Sequence, residues 1–177
     1  MVRVTQERDM EKKDKQPITD YISTVYPFLQ QILYNIAVYR TITHCFPSSD
    51  NALIENPDQR DFWINTSNNA IQMAIIDWCK VFGSERDNPF HCGIHENFTV
   101  DEQVSSAMTR FRNKYIAHKT DVEVPVPVLN GAIEVMYEFD KRIREQYSLD
   151  GYQDLKGWFE TYKIQLEDLM ERYGIKE

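Results

Sequence analysis

Glycine and proline are scarce, six and seven in 177 residues, which sets aside collagen-like and low-complexity chains. Cysteine is scarcer still. Cys45, Cys79 and Cys92 are an odd number without a C-x-x-C pair, so a disulfide framework is not expected and a reducing, cytoplasmic setting is. Basic charge is in deficit, 20 Lys and Arg against 28 Asp and Glu, giving a net charge of −8 and a pI near 5.0. That balance argues against a protein that coats duplex DNA, because such binding draws on neutralising many phosphates. A small local basic site stays compatible with it. No apolar run approaches the ~18–20 residues that span a bilayer, and the opening MVRVTQERDMEKKDKQ lacks the apolar run of about 7–15 residues that a signal peptide needs. Neither membrane insertion nor secretion is expected. Walker loops, dinucleotide fingerprints, H-E-x-x-H and G-x-S-x-G are also absent.

What is present suffices for a core: 42% of residues are hydrophobic and 12% aromatic. The length suits one domain of roughly 100–200 residues, large enough to fold without disulfide or metal staples. Residues 1–17 alternate acids and bases with no apolar stripe, so a charged, disordered arm is expected before a single domain over 18–177. From Ile18 onward, Ile18, Ile22, Val25, Leu29, Ile32, Ile36 and Tyr39 recur at steps of four and three, the spacing of one helical face. Pro27 falls within that run and predicts a kink or a later start.

Turn-forming residues in FPSSDNALIENPDQ read as a connection, with Asn56 and Pro57 as N-cap and first residue of a second helix. Its apolar positions include Phe62, Trp63, Ala70, Ile71, Ala74, Ile75, Trp78 and Phe82, and Gly83 is placed to end it. A polar loop, SERDNPFHCGIHENF, leads to Thr99-Val100-Asp101-Glu102, which reads as a capping box with Thr99 at N-cap and Glu102 at N3. Val104, Ala107, Met108, Phe111 and Tyr115 then mark the inward face of a third helix. KTDVEVPVPVLN reads as a loop, since its two prolines bar it from a sheet interior. Leu129, Ile133, Met136, Phe139 and Ile143 outline a fourth helix, and Leu155, Trp158, Phe159, Tyr162, Leu166, Leu169 and Tyr173 a fifth ending before Gly174. The fold class is therefore all-α, an antiparallel bundle of four to five helices.

Basic chemistry concentrates at the end of the third helix, in TRFRNKYIAHK. Arg112 and His118 have five residues between them, which on an ideal helix is roughly 9 Å of rise and about 120° of rotation. A long Arg can still swing toward an imidazole near a helix end. Such a pair suits cleavage of an RNA phosphodiester: imidazole titrates near neutrality and transfers protons, while guanidinium offers a planar fork to phosphate. Asn113 is a candidate to hold the imidazole or a phosphate oxygen, Lys114 lies one turn before His118, and Tyr115 is placed to stack on a base or to close the core. Arg110 and Lys119 are flanking charges without a role.

The string Arg112-Asn113-x4-His118 within FRNKYIAHK resembles the R-x4-6-H motif, with a polar residue after the Arg, of the HEPN superfamily. DWCKVFGS at 77–84 and the VEVPVPVL segment after the motif look like its AbiU2-like branch, linked to abortive phage infection. The resemblance spans roughly residues 18–170, and its specific part is the motif helix. It implies a helical bundle that forms a homodimer and brings two motif copies to one cleft. It also implies a metal-independent endoribonuclease without cofactor, a toxin or antiviral effector, in which Arg112 and His118 are the catalytic pair and Asn113 supports them. An antitoxin or other regulatory protein is an implied partner. Other members of the superfamily are noncatalytic nucleotide- or RNA-binding modules or adaptors, and that alternative stands beside the first.

Three further features have plainer readings. His91, Cys92 and His95 carry zinc-ligand chemistry at poor spacing, since adjacent His91 and Cys92 do not easily turn onto one tetrahedral ion. A polar loop without metal is expected. Cys79, embedded in IIDWCKVF, reads as a buried thiol, and Trp63, Trp78 and Trp158 follow helical spacing as packing residues. Asp61 and Asp77 read as solvated acids on amphipathic helices.

Overall fold

Helices form all the regular structure in the computed structural model, which describes residues 18–45, 57–84, 88–93, 98–117, 125–149 and 153–173. They are α1 (Ile18–Cys45), α2 (Pro57–Phe82), α3 (Glu102–Phe111) continued by a π turn (Arg112–Ala117), α4 (Leu129–Tyr147) and α5 (Leu155–Arg172). No strand occurs among the described residues, so the chain is an all-α helical bundle. No described helix is long and apolar enough to cross a membrane. The expected arm over 1–17 and the Asn56 cap lie outside the described residues.

The central element is α1. Its Val25, Leu29, Ile32, Leu33, Ile36 and Ala37 have no solvent exposure, because two adjacent rows of its surface are apolar and both are covered. The helix runs through Pro27 without a break in assignment. Contacts along its length give the direction of each neighbour. Near its start, the Tyr21 hydroxyl donates to the Phe90 and His91 carbonyls just beyond α2, at 3.2 and 3.3 Å. Near its end, Ile42 and Cys45 pack with Ala70 and Trp63 from the first half of α2, so the two helices are antiparallel.

Helix α4 also opposes α1, since Arg40 donates to Asn130 at 2.6 Å while Tyr26 donates to Asp140 at 2.5 Å. Helix α5 runs alongside α1 in the same direction: Tyr34 meets Tyr162 edge-on at 5.5 Å, and Cys45 lies in a cluster with Met170. It follows that α2 and α4 point the same way, and their contacts agree. Trp78 Nε1 donates to the Ala132 carbonyl at 3.2 Å, and Phe82 meets Phe139 at 5.5 Å. The chain between α2 and α4 must therefore travel back along the bundle. Helix α3 and the π turn lie on that return, against α2.

Two details seat α3. Asp101 is its N-cap, with Oδ1 accepting from the Gln103 and Val104 amides at 3.0 and 3.1 Å. Thr99 is thus not the cap, and the expected capping box is replaced by a shorter-reaching carboxylate two residues later, a change that still satisfies the otherwise orphaned amides. Gly131 in the first turn of α4 lets Val104 come close: a Cβ there would stand 2.8 Å from Val104 Cγ2. A larger residue would push α3 away from α4.

Most apolar positions are buried as their spacing predicts, including Leu129, Ile133, Met136, Phe139 and Ile143 on α4. Trp78 is fully buried, while Trp63 and Trp158 are half-buried and Trp158 stacks on Tyr162. Four positions differ from the expected inward faces: Phe62 is 60% and Tyr173 68% exposed, and Leu169 and Ala107 are exposed.

Asp140 is buried in the core. Asp140 Oδ1 accepts from the Tyr26 hydroxyl and, at 2.9 Å, from Arg144 Nε, while Oδ2 accepts from the Leu155 amide at the start of α5 at 3.0 Å. Burial, followed by its bond to Asp140, raises the Tyr26 hydroxyl above its usual range. Arg144 also reaches the Gln153 carbonyl at 2.7 Å, so this cluster pins α1, α4 and the α4–α5 connection together.

Candidate functional site

The inward face of α3 consists of Met108 and Phe111, both buried, with Val104 and Ile116 packed against the same core. Because these anchors occupy one side, the polar residues between them are turned outward. At Arg112 the helix widens into the π turn. There, hydrogen bonds reach five residues instead of four, an uncommon geometry that recurs at functional sites. The three cations Arg110, Arg112 and Lys114 all fall at or beside this junction.

Arg112 is half-buried, and its Nε donates to Asn113 Oδ1 at 3.0 Å. Asn113 is thereby engaged with the guanidinium, whereas the sequence places it on the imidazole or a phosphate oxygen. Asn113 and Lys114 are exposed. Tyr115 belongs to the π turn, and its side chain lies outside the described atoms; His118 and Lys119 lie outside the described residues. The structure thus brings Arg112, Asn113 and Lys114 together on one turn.

Beside that turn lies a hollow of about 390 Å³ lined by Ser84, Ser105, Ser106, Thr109, Arg110, Asn113 and Lys114. Among the described residues, four hydroxyls, an amide and two cations line it, and no carboxylate does. Arg110 makes no hydrogen bond or ion pair among the described residues and is exposed. This arrangement can donate many hydrogen bonds to an anion at little cost in opposing charge. Of its lining residues, only Asn113 and Lys114 were expected from the motif. The available signal was a repeat of polar pairs, Ser105-Ser106, Thr109-Arg110 and Asn113-Lys114, at four-residue spacing, which keeps all three on one side of a helix.

A larger hollow, about 1050 Å³, lies between the end of α1 and the second half of α5. It carries Arg40, His44 and Lys163, and also Glu167, Asp168 and Glu171. Those carboxylates oppose phosphate, so size is outweighed by charge.

In the loop after α2 the described residues of the HCGIH string have partners within the protein. His91 is buried, its Nε2 lies 2.8 Å from the Gly83 carbonyl, and its Nδ1 accepts from the Gly93 amide at 2.9 Å. Those partners specify the tautomer with the proton on Nε2 and engage both ring nitrogens. Cys92 is buried beside it, where burial pushes its thiol up to about 12. His95 lies outside the described residues, and among the described residues no group of three His, Cys, Asp or Glu side chains is placed to hold a metal.

Gly83 is needed at this joint, since a Cβ would stand 2.3 Å from the Cys79 carbonyl oxygen. Cys79 is core, as expected. Asp77 differs from expectation: it is buried and paired with Lys80 at 2.7 Å, while Asp61 is exposed. No protein-family model, no curated protein and no solved structure matches the chain.

Proposed function

We propose that this protein is a metal-independent endoribonuclease of the kind implied by its resemblance to the HEPN superfamily, acting as a cytoplasmic homodimer. The observation that carries the reading is the Arg112–Asn113 bond on a π turn at the motif, which holds a guanidinium by its Nε in a partly covered position. In the reaction, the ribose 2′-oxygen attacks phosphorus and the 5′-oxygen leaves, giving a 2′,3′-cyclic phosphate and a 5′-hydroxyl. His118 transfers the proton, and Arg112 stabilises the charge that develops on the phosphoryl oxygens. Asn113 orients Arg112. A toxin or abortive-infection role, restrained by an antitoxin or other regulatory protein, would use this same chemistry.

The test is RNA cleavage by the purified chain in EDTA, with end-group analysis of the products. Arg112→Ala and His118→Ala should each lower the rate by about 10²–10⁴-fold while leaving the melting temperature close to that of the parent. Cleavage that requires a divalent ion and ignores both substitutions would remove the reading. Mixed dimers of the two variants report on whether one site draws on both subunits.

The hollow beside the turn favours a second reading, a module that binds RNA or a nucleotide without cutting it, because its described lining supplies donors and no acid or imidazole. Tight binding with no turnover under any condition that preserves the dimer would select it.

A further inference from the structure

We infer that the hollow formed by α3, the π turn and Ser84 is a phosphate-backbone subsite for single-stranded RNA, with Arg110 and Lys114 as its paired cations. The inference deepens the RNA reading above and rests on it. Its new element is Arg110, together with the hydroxyls of Ser84, Ser105, Ser106 and Thr109, none of which belongs to the Arg112–His118 motif.

The argument begins with spacing. The pairs Ser105-Ser106, Thr109-Arg110 and Asn113-Lys114 recur every four residues, so successive pairs advance by about 40° around the helix and ~6 Å along it. They form a slanted band ~12 Å long, longer than a single phosphate group. Ser84, two residues beyond α2, lines the same hollow, so the band borders a depression shared with a second part of the chain.

Charge selects the occupant. The chain as a whole is acidic, yet among the described residues this lining includes two cations and no acid. Arg110 is exposed and serves no ion pair among the described residues. Short hydroxyl side chains donate to phosphate oxygens and exchange hydrogen bonds with ribose 2′-hydroxyls, whereas base reading calls for aromatic platforms or bidentate edges. Among the described side chains no aromatic lines the hollow. Binding there should therefore follow the backbone with little preference for base sequence. Asn113 lies both in this lining and against Arg112, so a strand held in the hollow leads to the motif.

The experiment measures binding separately from cutting. A fluorescent 2′-O-methyl RNA oligonucleotide, which has no free 2′-hydroxyl and is not cleaved, is titrated with the wild-type chain, Arg110→Gln, Lys114→Gln and Arg110→Lys across a range of salt. Each Gln variant should raise Kd roughly fivefold and flatten the slope of log Kd against log salt by about 0.7, the value for one lost phosphate contact on a single strand. Arg110→Lys should keep the slope. The loss should be similar for oligonucleotides of different base sequence.

An unchanged Kd and slope in Arg110→Gln, in a variant whose circular dichroism melt matches the parent, overturns the inference. So does inorganic phosphate or a mononucleotide binding as tightly as the oligonucleotide with the same dependence on Arg110, since that ligand would be a small anion. The two readings fail separately. Binding lost in the Gln variants by a wild-type chain that never cuts RNA supports the subsite and ends the nuclease reading. Cutting that persists with unaltered Kd in both Gln variants does the opposite.

Discussion

Asp140 and Lys114 each belong to a polar cluster, and the two clusters differ in how they end. Around Asp140, both carboxylate oxygens accept from groups on other elements, and the acid is 3% exposed. Around Lys114, the hydroxyls, amide and cations line a surface hollow that holds no acid among the described residues. The first cluster closes on itself and spends its bonds on the fold. The second lies at the surface, where Arg110 is exposed and makes no hydrogen bond or ion pair among the described residues.

The largest effect that sharpens this contrast comes from the closed cluster. Asp140→Ala leaves the Tyr26 hydroxyl, the Leu155 amide and the Arg144 guanidinium without their acceptor, and removing one partner from such a buried ion pair costs about 3–5 kcal/mol. Chemical denaturation should show that loss, while the corresponding loss for Arg110→Gln should stay within about 0.5 kcal/mol, as for other surface substitutions. Equal losses at the two sites would erase the distinction between them.

A second effect is set by burial and reads out with pH. An ordinary thiol ionises near pH 9, but burial delays Cys92 in the folded chain to about 12. The unfolded chain therefore releases its proton first, so stability that is intact below pH 9 is lost as pH climbs from 9 toward 12. Tyr21, also raised by burial, adds to the loss at the upper end. Denaturant midpoints measured from pH 8 to 11 should fall, and Cys92→Ala should flatten the first part of that fall. A flat profile in the parent would show that the loop after α2 is not closed around Cys92.

The smallest expected effect joins the two regions. Asp101 caps the helix that displays the polar pairs, and Asp101→Ala should cost about 1 kcal/mol. Since α3 is held at its other end by Met108 and Phe111, RNA affinity should drop only slightly. Hydrogen exchange in the first turn of α3 would report the change directly.

How much of this was legible in the residues depends on the range of the interaction involved. The spacing of Leu129, Ile133, Met136, Phe139 and Ile143 specified α4 and its buried face, and Pro57 and Gly83 marked the limits of α2. These are local signals: a period, a missing amide proton, a missing side chain. The choice of Asp101 over Thr99 was less accessible, because both can cap and the path of the chain into α3 selects between them. Asp140 carried no signal at all, since an acid at that position looks like any other on an amphipathic helix until Tyr26 and Leu155 close on it. In the candidate site the cations and the Arg112-Asn113 order were visible, whereas the π turn and the contribution of Ser84 were not.

The sequence by itself determined the all-helical class, the inward stripes, and the gathering of Arg110, Arg112, Asn113 and Lys114 within five residues of an acidic chain. Those properties follow from backbone periodicity and composition, which neighbouring residues settle among themselves. The tertiary structure alone decided that α2 and α4 run the same way, that Asp140 is buried, and that Ser84 joins the polar pairs of α3 at one hollow. Each of these requires residues far apart in the chain to meet, and the packing of whole helices governs which of them do.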